Sequence, residues 1–526
     1  MAKIISAKEA AALFTDNCTV LSAVFGLAGW AEEVAKAVEA RFLEDGHPKN
    51  ITHIHAAGAG DWISRGECDW THEGLITKVI SSHSGSSPKL LKAISENKIL
   101  AYNYPLGTML QLFKEMGRKA PGLLSKTGLG TFMDPRFDGG KLNTLTKEQG
   151  EDLVKYIPDF EGEEYLLYKP YNVDIALMRG TTADENGNIT CEKEALNLEM
   201  LSVAQAAKAQ GGIVICQVES LAKAGSLNPK LVKVPGIYVD YIVVEEDPDL
   251  FMQTQQTKFN RAFTGEIRVP IGNNIEVVPF GPTKVMARRV AMEIKPGFKA
   301  NFGIGQPTFV GAVMAEENCE NSITMISESG SIGGVPGGGR DFGAHWNIEA
   351  SSDQGDHFSF FDGGGLDIGV FGLSEVDKDG NVNTSLLNGK IMGVGGFANI
   401  AATAKHAVFI GSFTAGGIKT EIQDGKLVIL QEGKFKKFVE SCPQLTFNAN
   451  QSLQRGNTIL FITERCVIRK TLEGLIVEEI APGVDLEKDI IAQADVEFII
   501  PEGGPKLMDE ELFLPEWGKL KDIMYK

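Results

Sequence analysis

Asp184-Glu185-Asn186-Gly187-Asn188-Ile189 recurs as Asp377-Lys378-Asp379-Gly380-Asn381-Val382, and ten residues before each copy an Asp-Ile pair, Asp174-Ile175 and Asp367-Ile368, opens an apolar strand-like run. The copies stand 193 residues apart at both places, with no gap. Working outward, an alanine-rich helical stretch followed by Gly212-Ile213-Val214-Ile215 is answered by Ala401 to Lys405 followed by Ala407-Val408-Phe409-Ile410. Each copy reads strand, turn, strand, helix, strand, and self-similarity of this kind marks a duplicated unit.

The front ends of the copies match at a different offset, 277 residues. Ser6 to Gly26 and Thr283 to Gly303 each run from a cap through a short helix and a turn into a strand ending in VFG or NFG. In GLAGWAEEVAKAVEARF and GIGQPTFVGAVMAEEN a glycine turn then leads into an amphipathic helix, with Pro307 where a first helical turn tolerates it. Ile51-Thr52-His53-Ile54-His55-Ala56-Ala57-Gly58 next faces Ile323-Thr324-Met325-Ile326-Ser327-Glu328-Ser329-Gly330, two strands that end in glycine loops. The two offsets leave about 85 extra residues in the first half.

These spacings predict an α/β protein of two homologous open-sheet domains in one chain, 1–280 and 281–526, split near residue 275 to 285. Strands alternating with helices argue for largely parallel sheets. Ligands of such sheets bind beyond the carboxyl ends of the strands, where the glycine loops fall. Lys419 to Ile422 and Lys426 to Leu430, around Asp424-Gly425, read as a hairpin.

Composition narrows the function classes. At 526 residues the chain exceeds one ordinary core. A net charge of −18 without a Lys/Arg stripe argues against a nucleic-acid-binding surface. The 59 glycines exceed an average share, yet no G-X-Y period exists, so collagen and low-complexity disorder are excluded and the excess belongs to specific loops. The cysteines, Cys18, Cys68, Cys191, Cys216, Cys319, Cys442 and Cys466, are odd in number and form no C-x-x-C pair, so neither a disulfide framework nor a zinc ribbon is expected. The opening MAKIISAKEAAALFTDN lacks a signal-peptide layout, and the best apolar run, Thr19 to Ala31, is too short to span a bilayer, which predicts a cytoplasmic protein without a membrane partner.

Comparing the copies points to chemistry, because Ala56 occupies the repeat position of Glu328. Glu328 sits in ISESGSIGGVPGGGRDFGAHWN, where Gly330, Gly333, Gly334, Gly337, Gly338 and Gly339 leave backbone bare and a bulky substrate can reach a carboxylate. A solvated loop acid fits the same pattern. Gly303-Ile304-Gly305-Gln306-Pro307 lacks the third glycine of a dinucleotide fingerprint but suits an anion- or pantetheine-binding turn at a helix N-terminus. Gly411 to Gly416 is followed by Gly417, not by the lysine of a P-loop. Gly393-Val394-Gly395-Gly396-Phe397 offers amides for an oxyanion site, although close strand-helix packing uses glycines in the same way.

His53 and His55, with His72 and Glu73 further on, read as strand and loop residues rather than metal ligands, and no metal is expected. The paired DENGN and DKDGN segments lack the distal glutamate of a calcium loop and read as hairpin turns. Lys284, Arg288 and Arg289 read as solvated helix charges.

At ESGSIGGVPGGG, GVGGFANI and the duplicated α/β layout the chain resembles the family I coenzyme A transferases, above all the long single-chain bacterial acetate/propionate CoA-transferases with fused halves. Ser327-Glu328-Ser329-Gly330 is similar to the family's S-E-x-G signature, and Gly26-Leu27-Ala28-Gly29 to its amino-terminal glycine turn. NKILAYNYP, LGTFMDPR, GGKLN, VPGIYVDY, FDGGGLD, FTAGG, ITERCV and EIAPGVDL spread the resemblance over nearly the whole chain. It implies exchange of coenzyme A between short-chain acyl-CoA and free acids in the acetate, propionate and butyrate range, by a ping-pong mechanism with Glu328 as nucleophile. Coenzyme A enters as substrate and as a covalent glutamyl thioester, with no tightly bound cofactor, ATP or metal.

The resemblance further implies oxyanion donors at Gly395 and Gly396 and a pantetheine lining at Gly303, Gly305 and Gln306. Leu106, in YNYPLGT, stands where relatives carry glutamine, which makes that wall of an acyl site apolar and suggests a preference for chains longer than acetyl. The implied partners are acyl-CoA, carboxylic acids and further copies of the chain in a homo-oligomer, dimer or tetramer. An acyl-CoA hydrolase using the same glutamyl intermediate is the alternative.

Overall fold

Long apolar runs such as Ile175–Asp184 are buried on both faces, as strands inside a helix-covered parallel sheet must be. A computed structural model of the chain describes residues 2–270, 277–387 and 389–526. It gathers these runs into two principal sheets. The first orders Lys3–Ile5, Tyr241–Val244, Ile213–Ala222, Ile175–Asp184, Thr19–Ser22, Ile51–His55, Ile76–Ser81 and Leu100–Asn103, each neighbour parallel to the next. The second runs Thr324–Met325, Lys299–Phe302, Ile368–Gly372, His406–Ile410 and Thr458–Ile462 in parallel. It then continues antiparallel through Cys466–Lys470 and Leu475–Ile480.

Five strands follow the same spatial order in both sheets. Tyr241–Val244, Ile213–Ala222, Ile175–Asp184, Thr19–Ser22 and Ile51–His55 answer Thr458–Ile462, His406–Ile410, Ile368–Gly372, Lys299–Phe302 and Thr324–Met325. The turns repeat atom for atom. Asp184 Oδ1 accepts from the amides of Asn186 and Asn188, and Asp377 Oδ1 from those of Asp379 and Asn381, with Gly187 and Gly380 at positive φ. Both are hairpin turns, as their residue types predict. The first half's extra residues supply the strands Ile76–Ser81 and Leu100–Asn103, the helix Leu106–Gly117 and an antiparallel sheet of Leu123–Ser125, Val154–Phe160 and Glu163–Tyr168. Lys419–Gln423 and Lys426–Gln431 pair around Asp424 and Gly425, both at positive φ.

The chain forms two compact units. One is Met1–Val269 with Ser327–Ser359 and Asn388–Asn399; the other is Pro270–Ile326, Phe360–Leu387 and Ile400–Lys526. The units therefore depart from a linear 1–280 and 281–526 division, and part of the expected boundary, 271–276, lies outside the described residues. Hydrogen bonds explain the departure. Asn347 accepts from the Val269 amide, Asp341 from Thr254 and Gln256, and Asn197 donates to Ser351 O, so Glu328 and its glycine loop pack with the first unit.

The three cations of the helix Pro282–Ala291 correct the sequence reading. Lys284, Arg288 and Arg289 are buried, not solvated. Lys284 pairs with Glu316, Arg289 with Glu479 and Glu293, and Arg288 donates to the carbonyls of Leu512, Leu514 and Pro515. Buried cations persist only when paired in this way, and here they tie the chain's last residues to the second unit's core of Val285, Val290, Ile410 and Phe513. Among the described residues no helix is long and apolar enough to cross a membrane, and all seven cysteines are free.

Candidate active site

Glu328 follows the strand Thr324–Met325 and is held by its own loop. The Ser327 amide donates to Ser331 O at 3.0 Å, and the Ser329 and Ser331 hydroxyls both donate to Gly343 O. Gly330, at φ +100°, lies where a Cβ would come within 2.6 Å of Ser352 O, so this turn requires glycine. Gln354 Nε2 donates to Glu328 O at 3.1 Å, while the Gln354 amide donates to Leu198 O at 3.2 Å. The main chain behind the carboxylate is thus fixed.

Across from it lies the Gly393 to Phe397 loop. The Gly396 amide donates to Glu328 Oε2 at 2.9 Å. The loop is stitched to the first unit's sheet: Gly395 N donates to Ser82 O at 2.9 Å, Val394 N to Asn103 Oδ1 at 3.0 Å, and Leu106 N to Gly395 O at 3.0 Å. Gly107 N donates to Asn399 Oδ1 at 3.0 Å. A Cβ on Gly396 would overlap Glu328 Oε2, and one on Gly107 would overlap the Phe358 ring. The glycines therefore allow close packing and leave the Gly396 amide aimed at the Glu328 carboxylate.

Glu328 is half-buried as a residue, but its carboxyl lies among protein atoms. That burial pushes it up to about 7, against a smaller lowering by the Gly396 amide. A desolvated carboxylate with one amide donor is a stronger nucleophile than a solvated one. A carboxylate attacks only in its ionised form, so a reaction limited by attack from Glu328 would show kcat/KM rising about tenfold per pH unit below pH 7 and levelling off above it. A pH profile flat from 5 to 8 would contradict this assignment.

The structure brings Glu328, Gly395, Gly396 and the Leu106 main chain together in the first unit; Leu106 itself is buried at the start of its helix. Gly303, Gly305 and Gln306 belong to the second unit. There Gly303 N donates to Val370 O, Gly305 takes φ +83° with no atom within 4 Å of its Cβ position, and the helix Thr308–Glu316 begins after Pro307. This is the open glycine turn at a helix N-terminus that the spacing predicts.

His53 and His55 do meet an acid, but it is Glu67, not Glu73, and His72 pairs with Glu39 instead. Their ligating atoms lie within 4.8 Å of one another in a fully buried cluster. His53 Nδ1 bonds Glu67 Oε1 at 2.6 Å and His55 Nε2 bonds Glu67 Oε2 at 3.1 Å, while the remaining ring nitrogens bond Ser22 Oγ and Ala57 O. Burial alone would raise the Glu67 carboxyl, but the two imidazoles hold it down at about 2. Hydrogen bonds account for every ring nitrogen of this group.

Sequence reasoning missed Asn103, Asn399 and Phe358 as parts of the site. A polar residue closing the otherwise apolar strand Leu100–Asn103 is the one local signal, since buried asparagine needs partners.

A family model for coenzyme A transferase matches residues 4–245. The chain is 45% identical to the caffeate CoA-transferase of Acetobacterium woodii over 531 aligned residues, covering all of both chains. It is 41% identical to the acetate CoA-transferase YdiF of Escherichia coli strain K12, over 97% of this chain and 95% of that one. The crystal structure of the acyl-CoA transferase YdiF from Escherichia coli O157:H7 as a thioester complex with CoA superposes with a TM-score of 0.90 at 39% identity, covering 98% of this chain and 97% of that chain.

Proposed function

The chain belongs to the coenzyme A transferase family, and from that premise we propose that it exchanges coenzyme A between a short-chain acyl-CoA and a free carboxylic acid through a thioester on Glu328. The observation that carries this reading is the desolvated Glu328 carboxyl held at 2.9 Å by the Gly396 amide. The carboxylate oxygen bonds the thioester carbonyl carbon, and the carbon–sulfur bond breaks, giving an acyl-glutamyl anhydride and CoA thiolate. The thiolate attacks the glutamyl carbonyl, forming glutamyl-CoA and releasing the first acid as its carboxylate. A second carboxylate repeats the two steps in reverse and leaves as its CoA ester, with Glu328 regenerated. No net proton, hydride or phosphate moves, so the chemistry needs no further cofactor.

Gly396 supplies an oxyanion donor to each addition, an arrangement typically worth about 3 kcal/mol. Leu106 forms an apolar wall toward the acyl group, and Gly303, Gly305 and Gln306 line the pantetheine. We assign the two halves, 1–280 and 281–526, to one ancestral α/β unit, a reading supported by the shared strand order. The names of the relatives span acetate and caffeate, so they support a carboxylic acid as acceptor, and the short-chain class rests on the family resemblance of the sequence.

The test is to incubate the protein with acetyl-CoA and examine the Glu328 peptide by mass spectrometry. A CoA adduct on Glu328 is expected, and it should disappear when propionate is added, with propionyl-CoA formed. Free acetate and CoA released at the same rate without an acceptor acid would favour the hydrolase instead.

A further inference from the structure

We propose that the first amide of the helix Leu106–Gly117 positions and polarises the Gly396 donor through the Gly395–Gly396 peptide. This rests on the proposed role of Glu328. Gly395 O and Gly396 N belong to one planar peptide unit, so fixing one fixes the other. Leu106 N donates to that oxygen at 3.0 Å, and Gly396 N donates to Glu328 Oε2 at 2.9 Å. A chain of two hydrogen bonds therefore runs from a helix start to the carboxylate.

Leu106 is the first residue of a 12-residue helix, and its N–H is one of those without an intrahelical acceptor. That end of the helix carries partial positive charge. Its bond to Gly395 O draws electron density along the peptide and makes Gly396 N–H a stronger donor, since linked hydrogen bonds polarise one another. The flanks leave the peptide little freedom to rotate. Gly395 N is held by Ser82 O, and Val394 N by Asn103, which is fully buried and whose Nδ2 donates to Ser81 O at 2.9 Å. With both amide atoms of Asn103 assigned by their partners, its orientation is set.

Glu199, beside Leu198, is pushed up to about 8 by burial and by Asp353, and Lys114 of the same helix pairs with Asp353 and Asp356, but none of these acts on the Glu328 carboxyl. Burial and the Gly396 amide are the influences on the Glu328 carboxyl. Burial pushes the imidazoles of His83, which pairs with Gly393, and of His345 and His357 down to about 4, so they are neutral where the enzyme works. The helix amide touches no substrate atom; it acts as a positioning group.

A single substitution deletes this donor. Pro105 has φ −60° and ψ 135°, the extended conformation a following proline demands, and the first helical position is where proline is best tolerated. Leu106→Pro thus removes the N–H, keeps the helix start and sets its ring Cδ against Gly395 O, which must move away, while Leu106→Ala keeps the N–H and removes the side chain. Kinetics with acetyl-CoA across pH 5 to 9 should show kcat of Leu106→Pro lowered at least about tenfold, the size of one ordinary hydrogen bond with its acceptor also displaced, and KM little changed. The midpoint of the acidic limb should move up by about half a unit, because a weaker donor stabilises the ionised carboxylate less. Leu106→Ala should keep the wild-type midpoint and change the relative rates with acetate, propionate and butyrate.

Equal midpoints and equal kcat in the two variants would overturn the relay. If Leu106→Pro does not fold, Asn103→Ala, which frees Val394, is read by the same midpoint and should raise it; an unmoved midpoint overturns the proposal. The wild-type adduct separates the two levels of inference. An adduct on Glu328 with an unmoved midpoint removes the relay alone, whereas exchange without an adduct removes the reading on which it rests.

Discussion

Glu328→Gln should lower coenzyme A exchange by at least about 10⁴-fold, the scale on which a covalent nucleophile is missed, and should also make the folded protein more stable above neutral pH. The amide keeps an oxygen for the Gly396 N–H, so the loop geometry survives. It has no anionic oxygen to attack a thioester. The stability gain follows from linkage. The carboxyl stands at about 7 in the folded protein against an ordinary 4.5, so between those values the folded chain holds a proton that the unfolded chain has lost. Stability therefore falls as pH rises from 4.5 to 7 and stays reduced above that. After allowance for the residue's partial exposure the loss is on the order of 2 kcal/mol, and glutamine avoids it. Turnover with acetyl-CoA and propionate, together with urea unfolding at pH 5 and pH 8, tests both halves. A variant that still exchanges CoA at the wild-type rate, or whose advantage is the same at both pH values, would refute the assignment of a desolvated, ionisable nucleophile.

What could be read from the sequence divides by the range of the interactions involved. The hairpin turns at Asp184 and Asp377 are closed by carboxylates bonding amides two and four residues on, so their residue types declare them and reveal the repeat. The largely parallel sheets followed from the alternation of strands and helices, whereas the strand order within them was not legible. Glu328 stood out as a candidate by contrast with Ala56, since a shared scaffold makes an unshared carboxylate conspicuous, and by its glycine loop and S-E-x-G context. Asn103 was not legible. Its value lies in a bond to Val394, 291 residues away, and its one local signal, a polar end to an apolar strand, does not name that partner. The same holds for Arg288, whose acceptors are carbonyls 224 to 227 residues further along the chain. Charge patterning suggests solvent for such residues, and only the returning chain end shows that they are buried. The assignment of Ser327–Ser359 to the first compact unit is of this kind too, since it depends on bonds from Asp341, Asn347 and Ser351 to residues before 270.

Gly396→Ala and Gly395→Ala should fail in opposite ways, although they are adjacent and chemically identical changes. Gly396 lies outside the left-handed region, so alanine adds no backbone strain there. Its methyl group would nevertheless overlap Glu328 Oε2 and stand 3.0 Å from Phe358 Cζ. Phe358 is buried and already packed against Gly107, so the carboxylate is the group that must move, and it leaves the amide that holds it. Loss of that donor predicts a fall in kcat of about 10²- to 10³-fold with little change in unfolding midpoint. Gly395 presents the reverse case. No atom lies within 4 Å of its Cβ position, but its φ of +53° costs an alanine about 1 kcal/mol. Gly395→Ala should therefore lower stability by that amount and retain most of the turnover. Denaturant unfolding and steady-state exchange on the two variants would expose the contrast. Equal losses of activity would mean that the loop works by flexibility and not by the one amide aimed at Glu328.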